Sequence, residues 1–272
     1  MIENWDDAYA NGAHIVGADS IVAGWAQRAA MLRARVAAEV VQVGPGARQV
    51  VDLYRPEGTE QGLTAIVHGG YWMAFDGRDF AHLAAGPLAA GQAVAMVSYS
   101  LAPEARIADI TGEVAAAICA IAGQVAGPIR LAGHSAGGHL VARMICDKVM
   151  PVAVAERIAH VLSISGLHDL RPLLRTRMNE TLRLTEAEAE AESPALLHTR
   201  EGARLTCVVG AEERPEFLRQ TALLPNIWHG LGADTAEVVL AGENHFSIVA
   251  GLEAADGPLT RLLLGLPGRP VL

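Results

Sequence analysis

The chain has 272 residues, 51% of them hydrophobic, and carries 21 Lys and Arg against 30 Asp and Glu, a formal charge of −9. That is enough apolar material for one large core, and an acidic balance without a basic patch argues against nucleic acid or an anionic membrane surface as a partner. No Ser/Gly/Pro-rich linker, low-complexity tract or internal repeat divides the chain, so residues 1–272 read as a single domain whose residues 1–40 form an N-terminal helical segment.

Cys119, Cys146 and Cys207 are odd in number, widely spaced and set in apolar contexts. This fits neither a disulfide framework nor a metal site, and reads as buried free thiols in a reducing compartment. The acidic start, Met1 to Asp7, has no signal-peptide core, and no apolar run approaches the ~20 residues of a membrane span. A cytoplasmic protein is expected. A homodimer is expected only from how often such domains pair.

In chain order, Asp19 to about Glu39 has helical spacing. Val40–Val43 and Gln49–Tyr54 read as a hairpin around Gly44-Pro45-Gly46. Thr64–Val67 is a buried strand, Phe80–Ala90 a helix ended by Gly91, Ala93–Tyr99 a strand and Ile107–Val125 a long helix. Ile129–Ala132, Val161–Ser165, Leu205–Val209 and Glu237–Leu240 are further strands, with helices near Pro215–Leu224 and Phe246–Ala254. Antiparallel strands followed by regular alternation imply an α/β fold: a mixed, mostly parallel sheet with helices on both faces and ligands at the carboxyl ends of the strands. The stretch of about residues 166–197 is long for a crossover and is a candidate small lid. Its acidic run, Glu186 to Glu192, reads as a solvated helix face.

Gly133-His134-Ser135-Ala136-Gly137 spells G-x-S-x-G between the strand Ile129–Ala132 and a helix over Gly138–Ile145. In that setting the motif is the nucleophile elbow of α/β-hydrolases, whose glycines let neighbouring chain pass beside a strained, exposed serine. A serine hydroxyl needs a base, and the base needs an orienting carboxylate; in this fold they follow in the order serine, acid, histidine. His245, in Gly242-Glu243-Asn244-His245-Phe246 after the last strand, stands where the base belongs. For the acid, Glu212 and Glu213 follow the preceding strand, and Asp169 follows the one before that. His68-Gly69-Gly70-Tyr71-Trp72 after an early strand resembles the H-G-G-G oxyanion loop of lipases and esterases, so Gly70, Tyr71 and Ala136 are expected to supply N–H donors. No H-E-x-x-H metal set and no dinucleotide fingerprint is present, and cofactor-free acyl chemistry is expected.

Taken together, His68-Gly69-Gly70-Tyr71-Trp72, Tyr99-Ser100-Leu101-Ala102-Pro103-Glu104, Gly133 to Leu140 and Pro215-Glu216-Phe217 resemble arylformamidase (kynurenine formamidase) of the α/β-hydrolase type, close to bacterial esterases of unassigned substrate that share H-G-G-Y-W. The resemblance runs from about Thr64 to Phe246. It implies an aspartate three residues before the glutamate of P-E-F, and therefore selects Glu213, with glutamate in place of aspartate. It also implies hydrolysis of N-formyl-L-kynurenine to kynurenine and formate by Ser135, His245 and Glu213. Tyr71 and Trp72 are candidates for an aromatic wall, and Gly69, His134 and Phe246 for further substrate contacts. The alternatives are a small-acyl carboxylesterase or thioesterase with the same triad, and a hydrolase fold used only to bind a ligand.

Overall fold

The computed structural model describes residues 2–267. Two short antiparallel strands, β1 (Glu39–Gln42) and β2 (Val50–Tyr54), form the expected hairpin, and β2 pairs antiparallel with β4 (Ala93–Val97). The remaining pairings are parallel, through β3 (Leu63–Val67), β5 (Ile129–His134), β6 (Ile158–Ile164), β7 (Arg204–Gly210) and β8 (Asp234–Leu240). The eight strands lie in the order β1-β2-β4-β3-β5-β6-β7-β8.

Every residue of β3 and β4 is buried, as near-continuous Val/Ile/Leu/Ala runs require when both sheet faces are covered. Successive side chains point to opposite faces. Leu63, Ala65 and Val67 therefore join the core under the helices Ile107–Ala122 and Pro215–His229, while Ile66 joins the core with Trp25 of the helix Ala18–Arg35 and Leu259 of the helix Pro258–Leu264.

Three segments differ from expectation. The helix expected over Phe80–Ala90 is a 3₁₀ run, Gly77–Ala84, followed by one α-turn, Ala85–Ala89. Asp76 caps it by accepting from the Arg78 N–H, and the path kinks at Phe80, whose ring packs against Trp25 and His68. The segment after His245 is a 3₁₀ turn, Ile248–Leu252, because the Asn244 side-chain oxygen Oδ1 accepts from the N–H groups of Phe246 and Ser247 and holds an Asx turn there. The acidic run is also not wholly solvated. Glu192 is buried and paired with Arg143, and Glu188 meets Arg106. Together with Thr111, these partners bind residues 186–192 down onto the helices Ile107–Ala122 and Ala136–Arg143.

Candidate active site

The loops at the carboxyl ends of β3, β5 and β8 line one cavity of about 290 Å³, and the loop after β7 meets His245 through Glu213. Ser135 follows β5 with φ 55° and ψ −115°, a strained corner from which the helix Ala136–Arg143 departs. Its N–H is bonded to the Ile164 carbonyl at 2.8 Å. Only glycine fits on either side: a Cβ at Gly133 would lie 2.1 Å from the Gly137 oxygen, and one at Gly137 would lie 2.0 Å from the Val67 oxygen. This close approach explains the spacing of the motif.

His245 and Glu213 meet at 2.6 Å between Nδ1 and Oε2. The other carboxylate oxygen, Oε1, accepts from the Ser165 hydroxyl at 2.5 Å and from the Gly210 N–H at 2.9 Å, so every protein contact made to Glu213 fixes its direction. Glu212 is exposed. Asp169 is committed elsewhere, with its two oxygens 2.9 and 3.0 Å from the Arg171 guanidinium. Burial pushes the Asp169 carboxyl up, but the hydrogen bonds and charge of Arg171 outweigh it and hold the group below the usual carboxylate range. Ser135 and the His245 ring line the same cavity, and neither Ser135 Oγ nor His245 Nε2 is tied to another protein group among the described residues. Such a contact often tightens only when substrate arrives.

His134, inside the motif, also lines the cavity and donates from Nε2 to the His245 carbonyl at 2.9 Å. Burial, with the His245 charge second, pushes its pKa well below the ordinary histidine value, so the ring stays neutral and props the His245 backbone. Phe246 lines the cavity as well.

The loop after β3 presents Gly70, Tyr71 and Trp72 at φ 107°, 51° and 58°. Among the described residues the N–H groups of Gly70, Tyr71 and Ala136 have no acceptor, as donors reserved for an oxyanion would. The Tyr99 segment explains why this conformation persists. The Tyr99 ring stacks on His68 at 4.2 Å, its hydroxyl donates to the His68 carbonyl at 2.9 Å, and the Ala102 N–H donates to the Trp72 carbonyl at 2.8 Å.

Trp72 is corrected from a substrate contact to a core residue. It is fully buried, edge-on to His139 at 5.2 Å, and does not line the cavity. Tyr71, one residue earlier, lines the cavity instead. Gly69 also lies outside the lining: it is a spacer against His134 and Ser135, where a Cβ would lie 3.0 Å from the His134 carbonyl oxygen.

The cavity wall comes largely from residues that the sequence did not single out. Trp25, Phe75 and Phe80 supply aromatic faces, and Tyr9 to Ala13 roof the site. No residue of 166–197 lines it. The roof is tied down through Tyr9, whose carbonyl accepts from the Tyr71 hydroxyl at 2.6 Å and whose own hydroxyl donates to Glu216 at 2.8 Å. Asp7 pairs with Arg214 and Asp6 with Arg177. These links join residues up to 207 positions apart, and no local sequence signal marks them.

Residues 64–207 match the family model for the alpha/beta hydrolase fold. Kynurenine formamidase of Danio rerio is 28% identical over 84% of this chain and 81% of its own length, and that of Drosophila melanogaster is 25% identical over 79% and 77%. A crystal structure from Silicibacter sp. TM1040, provisionally described as a thioesterase, is 46% identical, covers 97% of this chain and 100% of its own, and superposes with a TM-score of 0.92. An esterase/lipase from an uncultured bacterium, 20% identical with a TM-score of 0.70, shares the fold. With its serine elbow, its parallel sheet and this family match, the chain belongs to the alpha/beta hydrolase fold family, and it is a serine hydrolase.

Proposed function

We propose that this protein hydrolyses an aryl formamide, with N-formyl-L-kynurenine as the substrate to test first. One observation carries the reading: Ser135 on its strained turn and His245, held by Glu213, line a single cavity walled by aromatic rings. The kinship with kynurenine formamidases over about four-fifths of both chains supports the formamide. Ser135 Oγ attacks the formyl carbon while His245 Nε2 takes its proton. The N–H groups of Gly70, Tyr71 and Ala136 stabilise the oxyanion; losing one such donor costs on the order of 10²–10³ in rate. The His245 imidazolium, steadied by Glu213, then protonates the leaving aryl amine. Water, deprotonated by the same ring, cleaves the formyl-serine ester to formate.

A second reading, a small-acyl thioesterase or carboxylesterase, is favoured by the likeness to the Silicibacter protein. The triad serves both, because thiolates, phenolates and aryl amines all leave from the same tetrahedral intermediate. A comparison of kcat/KM on N-formyl-L-kynurenine, phenyl acetate and S-phenyl thioacetate separates them. The formamide reading expects the first to be cleaved at least as efficiently as the others. Negligible formamide turnover beside fast ester or thioester cleavage overturns it. Loss of all turnover in Ser135→Ala, with the fold intact, is expected under either reading.

A further inference from the structure

Asn11 sits in the roof of the cavity that Ser135 and His245 also line. It is 5% exposed, yet among the described residues neither Oδ1 nor Nδ2 has a hydrogen-bond partner. Buried side-chain amides are nearly always paired, and leaving one unmatched is unfavourable. The backbone around it is well held: the Asn11 N–H donates to the Tyr9 carbonyl at 3.0 Å, and that carbonyl also accepts from Tyr71. The chain therefore holds this residue in place while leaving its amide unmatched. A second lining residue, Trp25, has the same character, since its indole Nε1 is buried without a partner among the described residues. The wall around them is aromatic, and no Lys, Arg, Asp or Glu among the described residues lines it.

We propose that Asn11 is a substrate-binding residue whose amide hydrogen-bonds an uncharged carbonyl on the aryl leaving group, so that the enzyme selects aryl substrates carrying such a group. An amide N–H and an indole N–H in an aromatic cavity match a ketone, ester or carboxamide oxygen. A carboxylate or ammonium taken into the same place would lack an opposite charge. A site that must pair buried polar groups discriminates strongly against a ligand lacking the partner, because the protein groups then stay unpaired. The proposal rests on the reading that the cavity takes aryl acyl compounds.

The test uses two substrate pairs, formanilide with 2-acetylformanilide and phenyl acetate with 2-acetylphenyl acetate. Each is measured as kcat/KM for the wild type, Asn11→Leu and Asn11→Ala. The variant-to-wild-type ratio cancels the intrinsic effect of the acetyl group. Asn11→Leu is expected to lower kcat/KM about 30-fold on the acetylated member and less than about threefold on the parent. Its thermal midpoint should be unchanged or raised by about 1–3 °C, because an unmatched buried amide has been removed. Equal losses on both members, no loss on either, or a lowered midpoint with equal losses make Asn11 structural and overturn the proposal, as does failure of both variants to fold. If the wild type cleaves the esters and neither formamide, the formamide reading fails and the ester pair still decides the role of Asn11. Cleavage of neither pair overturns both.

Discussion

Glu213 and His245 meet at 2.6 Å, and the carboxylate oxygen not facing the ring is occupied by Ser165 and the Gly210 N–H. Glu213→Gln keeps the volume but offers the ring a donor or a neutral acceptor instead of a carboxylate. It is expected to lower kcat on the order of 10³-fold or more. Asp169→Asn loosens only the Arg171 pair, and kcat should stay within about threefold. Steady-state rates on phenyl acetate decide it; the reverse order would remove Glu213 from the mechanism.

Tyr71 closes the roof by donating to the Tyr9 carbonyl at 2.6 Å. Tyr71→Phe leaves that carbonyl with the Asn11 N–H alone, a loss of about 0.5–1.5 kcal/mol, while the backbone N–H at position 71 is untouched. KM should rise about tenfold with kcat little changed, and hydrogen exchange should quicken across residues 9–13. A fall in kcat with KM unchanged would mean that the hydroxyl acts on the reaction rather than on the roof.

Arg143 and Glu192 form a bidentate pair at 3.0 and 3.1 Å, with side chains 10% and 7% exposed. Removing one partner of such a pair strands a buried charge, so Glu192→Ala is expected to lose about 3–5 kcal/mol in urea unfolding. Turnover per folded molecule should be preserved, since the pair does not line the cavity. An unshifted urea midpoint would contradict the buried pair.

Acid should destabilise the protein early. Burial is the main cause that pushes His68 and His168 down to about 4 and His139 to about 3, below the ordinary value near 6.5. Above pH 6.5 these rings are neutral in both states and their contribution is complete. Below it the unfolded chain takes up protons that the native rings refuse, so stability falls by up to about 1.4 kcal/mol per pH unit for each ring, until the native rings protonate near pH 4 and 3. His139 donates from Nε2 to the Glu192 carbonyl at 2.7 Å, a bond that glutamine can reproduce. His139→Gln should therefore flatten the fall in urea midpoint between pH 7 and 5; an unaltered slope would remove His139 from this balance.

Strand positions and the mostly parallel sheet were largely legible because their signals are short-range. Apolar β-branched runs mark β3 to β7, and glycines mark the elbow, where a Cβ has no room. The histidine after β8 and the glycine loop after β3 follow from the fold's ordering of loops. Segment type was less legible where side chains override propensity, as at Asn244, whose Asx turn replaces the start of a helix, and at Phe80, where the path kinks.

The sequence by itself determined the serine corner, the glycine loop after β3 and the chain order of Ser135, Glu213 and His245, because each is written in adjacent residues whose local sterics allow few conformations. The resemblance had already pointed to Glu213; only the tertiary structure decided that its carboxylate meets His245 while Asp169 pairs with Arg171, that Trp72 is core while Tyr71 faces the cavity, and that Tyr9 to Ala13 form its roof with Asn11 unmatched among the described residues. Those outcomes depend on contacts between segments 32 to 207 residues apart, where no periodicity or turn chemistry in either segment specifies the other.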